Sequence, residues 1–477
     1  MSQTQKTNWG QFIPLVTVFF FWGFVAASND ILIPVFKKSF DLTQAQSQLV
    51  NVAYYISYAL GSVIYMIISF IAKQDLIQKF GYKNSLSFGL ILSAIGTLFF
   101  IPAANTGSYE LMLTGLFTVA LGFSVQQTVA NPLAIALGGK STGSQRLTLA
   151  GGINNLGTTI GPLIVAYAIF GAAGDGDTNL SIEAVKIPYM ILGAAFLIVG
   201  VFLKFSNLPN HPEEEEELVS NTKDRSNALK YPQLVLGMIA IFLYVGVEVS
   251  TVSNLPDYMQ KELGYSITGV APFVSLYWAS MMIGRWGGAA EAFGLDKSKT
   301  LALKFIAPYL AFGVFLFVNY LAGHDLQPFY LYAAIILIMI IASIWTEGNP
   351  AKMLLTFSII GIVCLLIGMN TKGLVSVYAL TSVGLFCSTL WPCIFSLAIN
   401  GLGKNTSQGS SYLIMMIMGG GLVSIFQGYV ADFTSIHFSY IVCIACFAYL
   451  VFYALSSKSI LRKQGINIDQ VEAEGGH

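Results

Sequence analysis

Long apolar runs separated by short polar turns account for most of this chain. Lipid offers the backbone no hydrogen-bond partner, so a continuous apolar run of about 18 or more residues is predicted to cross a bilayer as an α-helix. The runs are continuous and do not alternate, which favours helices over a membrane β-barrel. We therefore predict an all-α polytopic membrane protein with about fourteen transmembrane helices. They lie at about 11–36, 46–72, 86–104, 108–138, 147–172, 187–205, 233–258, 270–293, 300–322, 329–346, 353–370, 373–401, 410–432 and 437–457.

The apolar runs form two similar halves. The segment GKSTGSQ (139–145) is echoed by GKNTSQG (403–409), and each echo is followed by a glycine-studded apolar run. The run FFFWGFVAASNDILIP (19–34) is echoed by IFLYVGVEVSTVSNLP (241–256), with a carboxylate, an Asn and a Pro in each. Repeated apolar halves with polar residues at matching depths are typical of transporters that rock about a central site.

The longest polar break in the chain, 206–231, separates these halves and contains a run of glutamates. A charge run of this kind is usually a solvated segment. We interpret it as a cytoplasmic linker between an N-terminal six-helix bundle (1–205) and a C-terminal bundle (232–460). A cytoplasmic tail is predicted at 461–477.

The second half contains more apolar runs than the first. The run that contains Pro132 is matched only at Pro392, after two additional runs. These runs are predicted to form a two-helix hairpin inserted at about 299–347. The bundles are therefore expected to be pseudo-symmetric, with six helices each and one extra hairpin.

Composition and charge agree with a membrane protein. The chain is 55% hydrophobic and 10% charged, whereas soluble domains average about 25% charged residues. Most of the 24 Lys and Arg residues fall on one side if both termini are cytoplasmic, in keeping with the positive-inside rule. The net charge of zero indicates no nucleic-acid surface. The cysteines lie in apolar runs without metal-ligand spacing to the histidines, so no metal site is predicted.

Two carboxylates are predicted to lie within the membrane, Asp30 and Glu248, one on the opening helix of each half. A charge there costs about 2.5–3.5 kcal/mol and therefore normally faces a cavity or a partner. In a partly dry cavity a carboxyl group can bind and release a proton, as proton-coupled transport requires. The alternatives are a carboxylate at the outer interface for Asp30 and a structural hydrogen bond to a neighbouring helix for Glu248.

Neutral polar and aromatic residues in these runs indicate the substrate class. Gln127 and Asn131 are four residues apart and share one helix face. Asn154 lies on the next run, and further aromatic residues are Tyr277 with Trp278, and Trp391. Amides and carboxylates can bind neighbouring hydroxyl groups, while aromatic rings cover the C–H face of a sugar. The combination favours a sugar, although each aromatic residue alone is more often a packing residue.

The chain resembles the fucose–galactose–glucose:H⁺ symporter family of the major facilitator superfamily, and is closer to the glucose/galactose transporter branch than to the fucose permease. The resemblance rests on FFFWGFVAASNDILIP, QQTVANP, RLTLAGGINNLGT, YVGVEVS, YWASMMIGR and SYLIMMIMGGGLVSIFQGYVAD. It implies the major facilitator fold, alternating access, proton coupling through Asp30, and a sugar site that includes Trp22 and Asn154. Trp391 replaces a Tyr of that site.

Departures from the fucose carrier bear on the substrate. Its Glu in the fourth helix is Gln127 here, and its Gln in the seventh helix is Glu248. The second carboxylate has therefore moved across the cavity, which favours a glucose-, galactose- or N-acetylhexosamine-like sugar. The coupling ion stays open between H⁺ and Na⁺.

We therefore expect a secondary active hexose:proton symporter without a cofactor, monomeric and embedded in the lipid of a bacterial inner membrane. The predicted proton-coupling residues are Asp30 and Glu248. The predicted sugar-binding residues are Trp22, Gln127, Asn131, Asn154, Glu248, Tyr277, Trp278 and Trp391. One alternative is a sodium-coupled or passive sugar facilitator or exporter. A second is a membrane enzyme acting on a lipid-linked sugar, which we disfavour because the histidines form no cluster.

Overall fold

A computed structural model describes residues 7–40, 44–72, 74–139, 142–170, 186–210, 227–261, 263–265 and 267–466, with backbone alone at 27–39, 162–170 and some shorter stretches. The described residues form helices and turns and contain no strand, as the apolar runs predict. The helices are α1 (Trp9–Ser39), α2 (Gln44–Ile71), α3 (Leu76–Phe80), α4 (Tyr82–Leu98), α5 (Phe100–Thr106), α6 (Tyr109–Ala136), α7 (Gly143–Phe170), α8 (Lys186–Phe205), α9 (Pro232–Lys261), α10 (Ile267–Gly288), α11 (Lys297–Leu321), α12 (Tyr332–Trp345), α13 (Pro350–Asn370), α14 (Gly373–Cys387), α15 (Leu390–Ile399), α16 (Thr406–Met415), α17 (Gly419–Phe433), α18 (Ile436–Ser439) and α19 (Ile441–Lys463).

The described residues contain 12 segments that are long and apolar enough to cross a membrane. Against this number, the predicted count of about fourteen is slightly imprecise. The two predicted spans outside the 12 segments, 147–172 and 270–293, nevertheless correspond to the long helices α7 and α10. Both helices border the central cavity described below.

Local sequence signals explain where several helices begin. The Ser108 side chain accepts a hydrogen bond from the Leu111 N–H at 3.2 Å and so caps α6. Asn349 caps α13 by accepting from the next two N–H groups, both at 3.0 Å, and Pro350 occupies the first helical position. A proline is tolerated there because the first N–H groups of a helix have no partner within the helix. These caps set the ends of spans that the apolar pattern places only roughly.

The packing of the helices repeats between the two halves. In the first half α1 packs on α7, α4 packs on both α6 and α8, and α2 packs on α6. In the second half α9 packs on α17, α13 packs on α14 and α19, and α10 packs on α14. In each half, the first helix therefore pairs with the fifth, and the third pairs with the fourth and sixth. This is the pseudo-symmetry that the sequence echoes predict.

The helices α11 and α12 correspond to the predicted inserted hairpin and pack on α10, with α12 also contacting α14. Lys304 of α11 forms a largely buried ion pair with Glu291, which precedes the hairpin. After the hairpin, Gly348 adopts a φ of +75°, a conformation that suits glycine because it lacks a Cβ. Among the described residues, the hairpin thus packs mainly on the second half.

The two halves meet at the end of the bundle that carries Asn210 and Asn227, the residues on either side of the linker's undescribed part. We call this end the linker face. Helix α16 packs there against α2 and α6, and α10 packs against α7. Hydrogen bonds between the halves join Thr7 Oγ1 to Ala292 O at 2.6 Å, Gln78 Nε2 to Lys404 O at 2.8 Å, Gln145 Nε2 to Gly348 O at 2.7 Å, and the hydroxyls of Tyr82 and Ser407 at 3.2 Å. The linker face is therefore closed.

Candidate functional site

A cavity of about 430 Å³ lies between the two halves. Its lining comes from α1, α2, α6 and α7 on one side and from α9, α10 and α15 on the other. This volume falls in the range of pockets that bind small molecules. The predicted site residues that border it are Trp22, Gln127, Asn131, Asn154, Glu248, Trp278 and Trp391.

Glu248 is half-buried on α9 because its side chain borders the cavity. Its carboxylate makes no ion pair with the described residues. Arg285, which also borders the cavity, acts on it electrostatically. The buried Tyr244 hydroxyl lies near the same carboxylate. The carboxylate is therefore able to accept hydrogen bonds, or a proton, from the cavity.

Gln127 and Asn131 both face the cavity from α6, as their spacing predicts. The Gln127 amide donates to the Tyr58 hydroxyl at 3.1 Å, and Tyr58 donates in turn to Tyr54 at 3.2 Å. The Asn131 Nδ2 group is buried and has no hydrogen-bond partner in the part of the chain that the structure describes. Because an unsatisfied buried donor is costly, a ligand with an acceptor group would be stabilised beside Asn131.

Asn154 lies on α7 and donates from Nδ2 to the backbone oxygen of Phe19 at 2.9 Å. This bond ties α7 to α1 at the level of the cavity. Its Oδ1 atom makes no hydrogen bond with the described residues, so it is available to a hydroxyl group in the cavity. The Asn154 Nδ2 group thus holds two helices together, while its Oδ1 atom can accept a hydrogen bond from a ligand.

Aromatic rings border the cavity from both halves. Trp22 projects from α1, Trp278 from α10 and Trp391 from α15. Trp391 packs against Phe395 at a ring-centroid distance of 6.0 Å, and Trp278 packs against Tyr277 at 5.6 Å. Aromatic faces held by such contacts can cover the C–H face of a sugar without losing much side-chain freedom.

Two predicted site residues are not placed at the cavity. Tyr277 is fully buried outside the lining, and its hydroxyl donates to the backbone oxygen of Glu248 at 2.8 Å. Its role in the structure is therefore to position α9. Asp30 belongs to α1, but its side chain lies outside the described residues. Proton coupling through Asp30 stays a prediction.

The structure also places Arg285, a charged residue in the apolar run of α10, at the cavity. Its guanidinium donates to Ser388 O at 2.8 Å in its own half. It also donates across the halves, to Asn155 Oδ1 at 2.6 Å and to Gly151 O at 3.2 Å. One cation therefore borders the cavity and joins the two halves.

Sequence reasoning missed Arg285 as a cavity residue, and did not consider Gln126, a buried neighbour of Gln127. The signal for Arg285 was a charged residue inside an apolar run, which by itself marks a functional position. Gln126 offered no comparable signal, because the helix period places it on a different face from Gln127.

Comparisons with known proteins agree with this architecture. Residues 15–351 match the profile of the family described as Major Facilitator Superfamily. The chain is 35% identical over 461 residues to a glucose/galactose transporter of Brucella abortus biovar 1 (strain 9-941), covering 96% of this chain and 97% of that protein. It is 28% identical over 465 residues to the L-fucose-proton symporter of Escherichia coli (strain K12), covering 93% and 92%. The crystal structure of the transporter FucP in the outward conformation matches with a TM-score of 0.70 and 27% identity, covering 94% of this chain and 98% of that one.

Proposed function

The chain belongs to the major facilitator superfamily, and from that premise we propose that it carries a hexose across the membrane by alternating access, coupled to protons. The proposed substrates are D-glucose and D-galactose, because the glucose/galactose transporter above is similar over nearly its whole length. The proposed setting is a bacterial inner membrane, with both termini cytoplasmic, and the proposed active unit is a monomer surrounded by lipid.

The observation that carries this proposal is the composition of the central cavity. It combines a carboxylate without an ion pair among the described residues, the amide groups of Gln127, Asn131 and Asn154, and three indole rings, contributed by both halves. Polar groups that converge in a largely apolar pocket orient a polar ligand. A monosaccharide presents hydroxyl groups to such amides and a C–H face to such rings.

The closed linker face supports alternating access. If the termini are cytoplasmic, this closure blocks the cytoplasmic route to the cavity, which fits the outward conformation of the similar FucP structure. Transport then requires the bonds between the halves at the linker face to break while contacts form at the opposite end. Each half can move as a unit, because its helices pack mainly on one another.

Proton coupling is proposed to involve Glu248 and Asp30. Glu248 borders the cavity where the sugar would bind, so its carboxylate would lie next to the sugar's hydroxyl groups. A deprotonated carboxylate that becomes enclosed without a partner is costly. Binding of both a proton and a sugar would therefore favour the closed, reorienting state over binding of either alone.

The test uses the full-length protein in proteoliposomes that are weakly buffered inside and outside. D-glucose or D-galactose is added with and without Na⁺, and both external pH and radiolabelled sugar counterflow are recorded. We expect sugar-dependent alkalinisation of the medium that does not need Na⁺. Glu248→Gln should lose the alkalinisation and retain counterflow, whereas Glu110→Gln, an exposed residue at the start of α6, should behave as wild type.

The outcomes separate the proposal from its alternatives. Alkalinisation that persists in both Glu248→Gln and Asp30→Asn would remove these carboxylates from coupling. Uptake that depends on Na⁺ without a pH change would favour the sodium-coupled alternative. A protein that shows no saturable counterflow with either sugar would contradict sugar transport.

A further inference from the structure

The Trp22 side chain is oriented by a residue that lies outside the cavity. Trp22 borders the cavity, yet it is only 4% exposed. Its indole N–H donates to Gln126 Oε1 at 2.8 Å, and Gln126 is 0% exposed. The only polar atom of the indole is therefore directed away from the cavity.

Gln126 is itself fixed by a hydrogen-bonded chain that crosses three helices. Its Nε2 atom donates to Ser93 Oγ on α4 at 3.1 Å, and Ser93 donates to the Val119 backbone oxygen at 2.9 Å. An indole N–H can only donate and a backbone carbonyl can only accept. The two ends of the chain therefore allow a single orientation of the Gln126 amide, with its oxygen towards Trp22.

The packing around Gln126 reinforces this orientation. A Cβ atom at Gly89 would lie 2.6 Å from Gln126 Cγ, so glycine at that position leaves the room that the Gln126 side chain occupies. On α1, the Phe19 ring lies against Trp22 at a centroid distance of 4.5 Å. Hydrogen bonding and packing thus restrict rotation of the indole.

We propose that Gln126 is a positioning residue for sugar recognition, which holds the Trp22 N–H away from the cavity so that Trp22 presents only its ring face to the sugar. This inference rests on the proposed function. It adds that Trp22 selects a substrate by a C–H face and not by a hydroxyl group. An indole released from Gln126 would be free to turn its N–H into the cavity and would lose the stacking geometry.

The test compares KM and Vmax for D-glucose and D-galactose uptake in proteoliposomes. Gln126→Met keeps the side-chain length but removes the amide, and we expect KM to rise by about three- to ten-fold, the effect of one hydrogen bond. Vmax should change by less than about two-fold. The matched control is Gln427→Met, because Gln427 is also 0% exposed and donates to Ser439 Oγ at 3.1 Å, but lies away from the cavity.

A double-mutant cycle with Trp22→Phe separates positioning from a general structural effect. Phenylalanine has no N–H for Gln126 to hold, so Gln126→Met should leave KM unchanged in the Trp22→Phe background. A KM effect of equal size in both backgrounds, or a loss of Vmax alone, would overturn the inference.

If the wild-type protein showed no saturable uptake, the proposed function itself would fail, which is a different result. If Gln126→Met folds poorly, Ser93→Ala, which removes the partner of the Gln126 amide, is expected to give a smaller rise in KM, and an unchanged KM there would also contradict the proposal.

Discussion

The substitution Asn155→Ala tests whether the contact between Arg285 and Asn155 holds the linker face closed. Asn155 Oδ1 accepts a hydrogen bond from the Arg285 guanidinium at 2.6 Å, and this bond joins α7 of one half to α10 of the other. Because the donor is charged, the bond contributes about 1.5–3 kcal/mol. The contribution exists only while the halves are in contact at this face. The substitution should therefore shift the ratio of closed to open protein by about 10- to 150-fold, since about 1.4 kcal/mol corresponds to a factor of ten.

The distance between the halves at the linker face can be measured by double electron–electron resonance. Spin labels would be attached to cysteines introduced at Lys79 and Asn400, which are exposed at this face on the two halves. The five native cysteines are buried, so they should react slowly with the label and can be kept. In Asn155→Ala the population with the longer distance should increase at the expense of the closed population.

The matched control is Asn319→Ala. Asn319 is 2% exposed and makes two hydrogen bonds, to Phe315 O at 3.0 Å and with the His324 ring at 2.9 Å, but all of them lie within α11 and its turn. It should destabilise the protein without moving the distance distribution. An unchanged distribution in Asn155→Ala, or an equal shift in both variants, would refute the role assigned to the bridge.

Three further predictions address packing, sugar recognition and pH. A Cβ atom at Gly23 would lie 1.9 Å from a backbone oxygen of α7, so Gly23→Ala should lower the unfolding temperature in detergent, whereas Gly421→Ala, with no neighbouring atom within 4 Å, should not. Trp391→Ala should raise the KM for sugar up to about ten-fold through loss of ring stacking, and Trp345→Ala, 75% exposed on α12, should leave KM unchanged. Burial raises the pKa of Asp75, which lies between two spans, so the folded protein holds this proton more tightly than the unfolded chain. The free energy of unfolding contributed by Asp75 should thus fall as the pH rises above 3.8, the ordinary pKa of an aspartate. Asp75→Asn keeps a capping oxygen, so thermal melts at several pH values should show a weaker dependence of the unfolding temperature on pH.

Much of the fold follows from the sequence, because in lipid the apolar runs have no alternative to helices. The echo of the opening helices correctly anticipated a two-fold packing pattern, and in the structure Glu248 borders the cavity between the halves. The count of about fourteen spans exceeds the 12 segments that meet the length and apolarity criterion among the described residues.

The site was less predictable because helical spacing gives the direction of a side chain but not the length of its reach. Tyr277 is adjacent in sequence to the cavity residue Trp278, yet one position along a helix turns its ring to another face. There its hydroxyl donates to the backbone oxygen of Glu248. The Arg285 backbone lies in the last turn of α10, but its long side chain extends to the cavity and to Asn155. Such contacts depend on how the two halves dock, which no local pattern encodes.

In the proposed function, a hexose binds between the two halves, in the cavity bordered by Glu248, Gln127 and the indole rings of Trp22, Trp278 and Trp391. The most direct measurement is a cryo-electron microscopy structure of the full chain in lipid nanodiscs with saturating D-glucose or D-galactose. We expect sugar density inside this cavity, with a hydroxyl group within hydrogen-bond distance of Glu248 and a ring face on Trp22. Sugar density elsewhere, with this cavity empty in a protein that transports the same sugar, would contradict it.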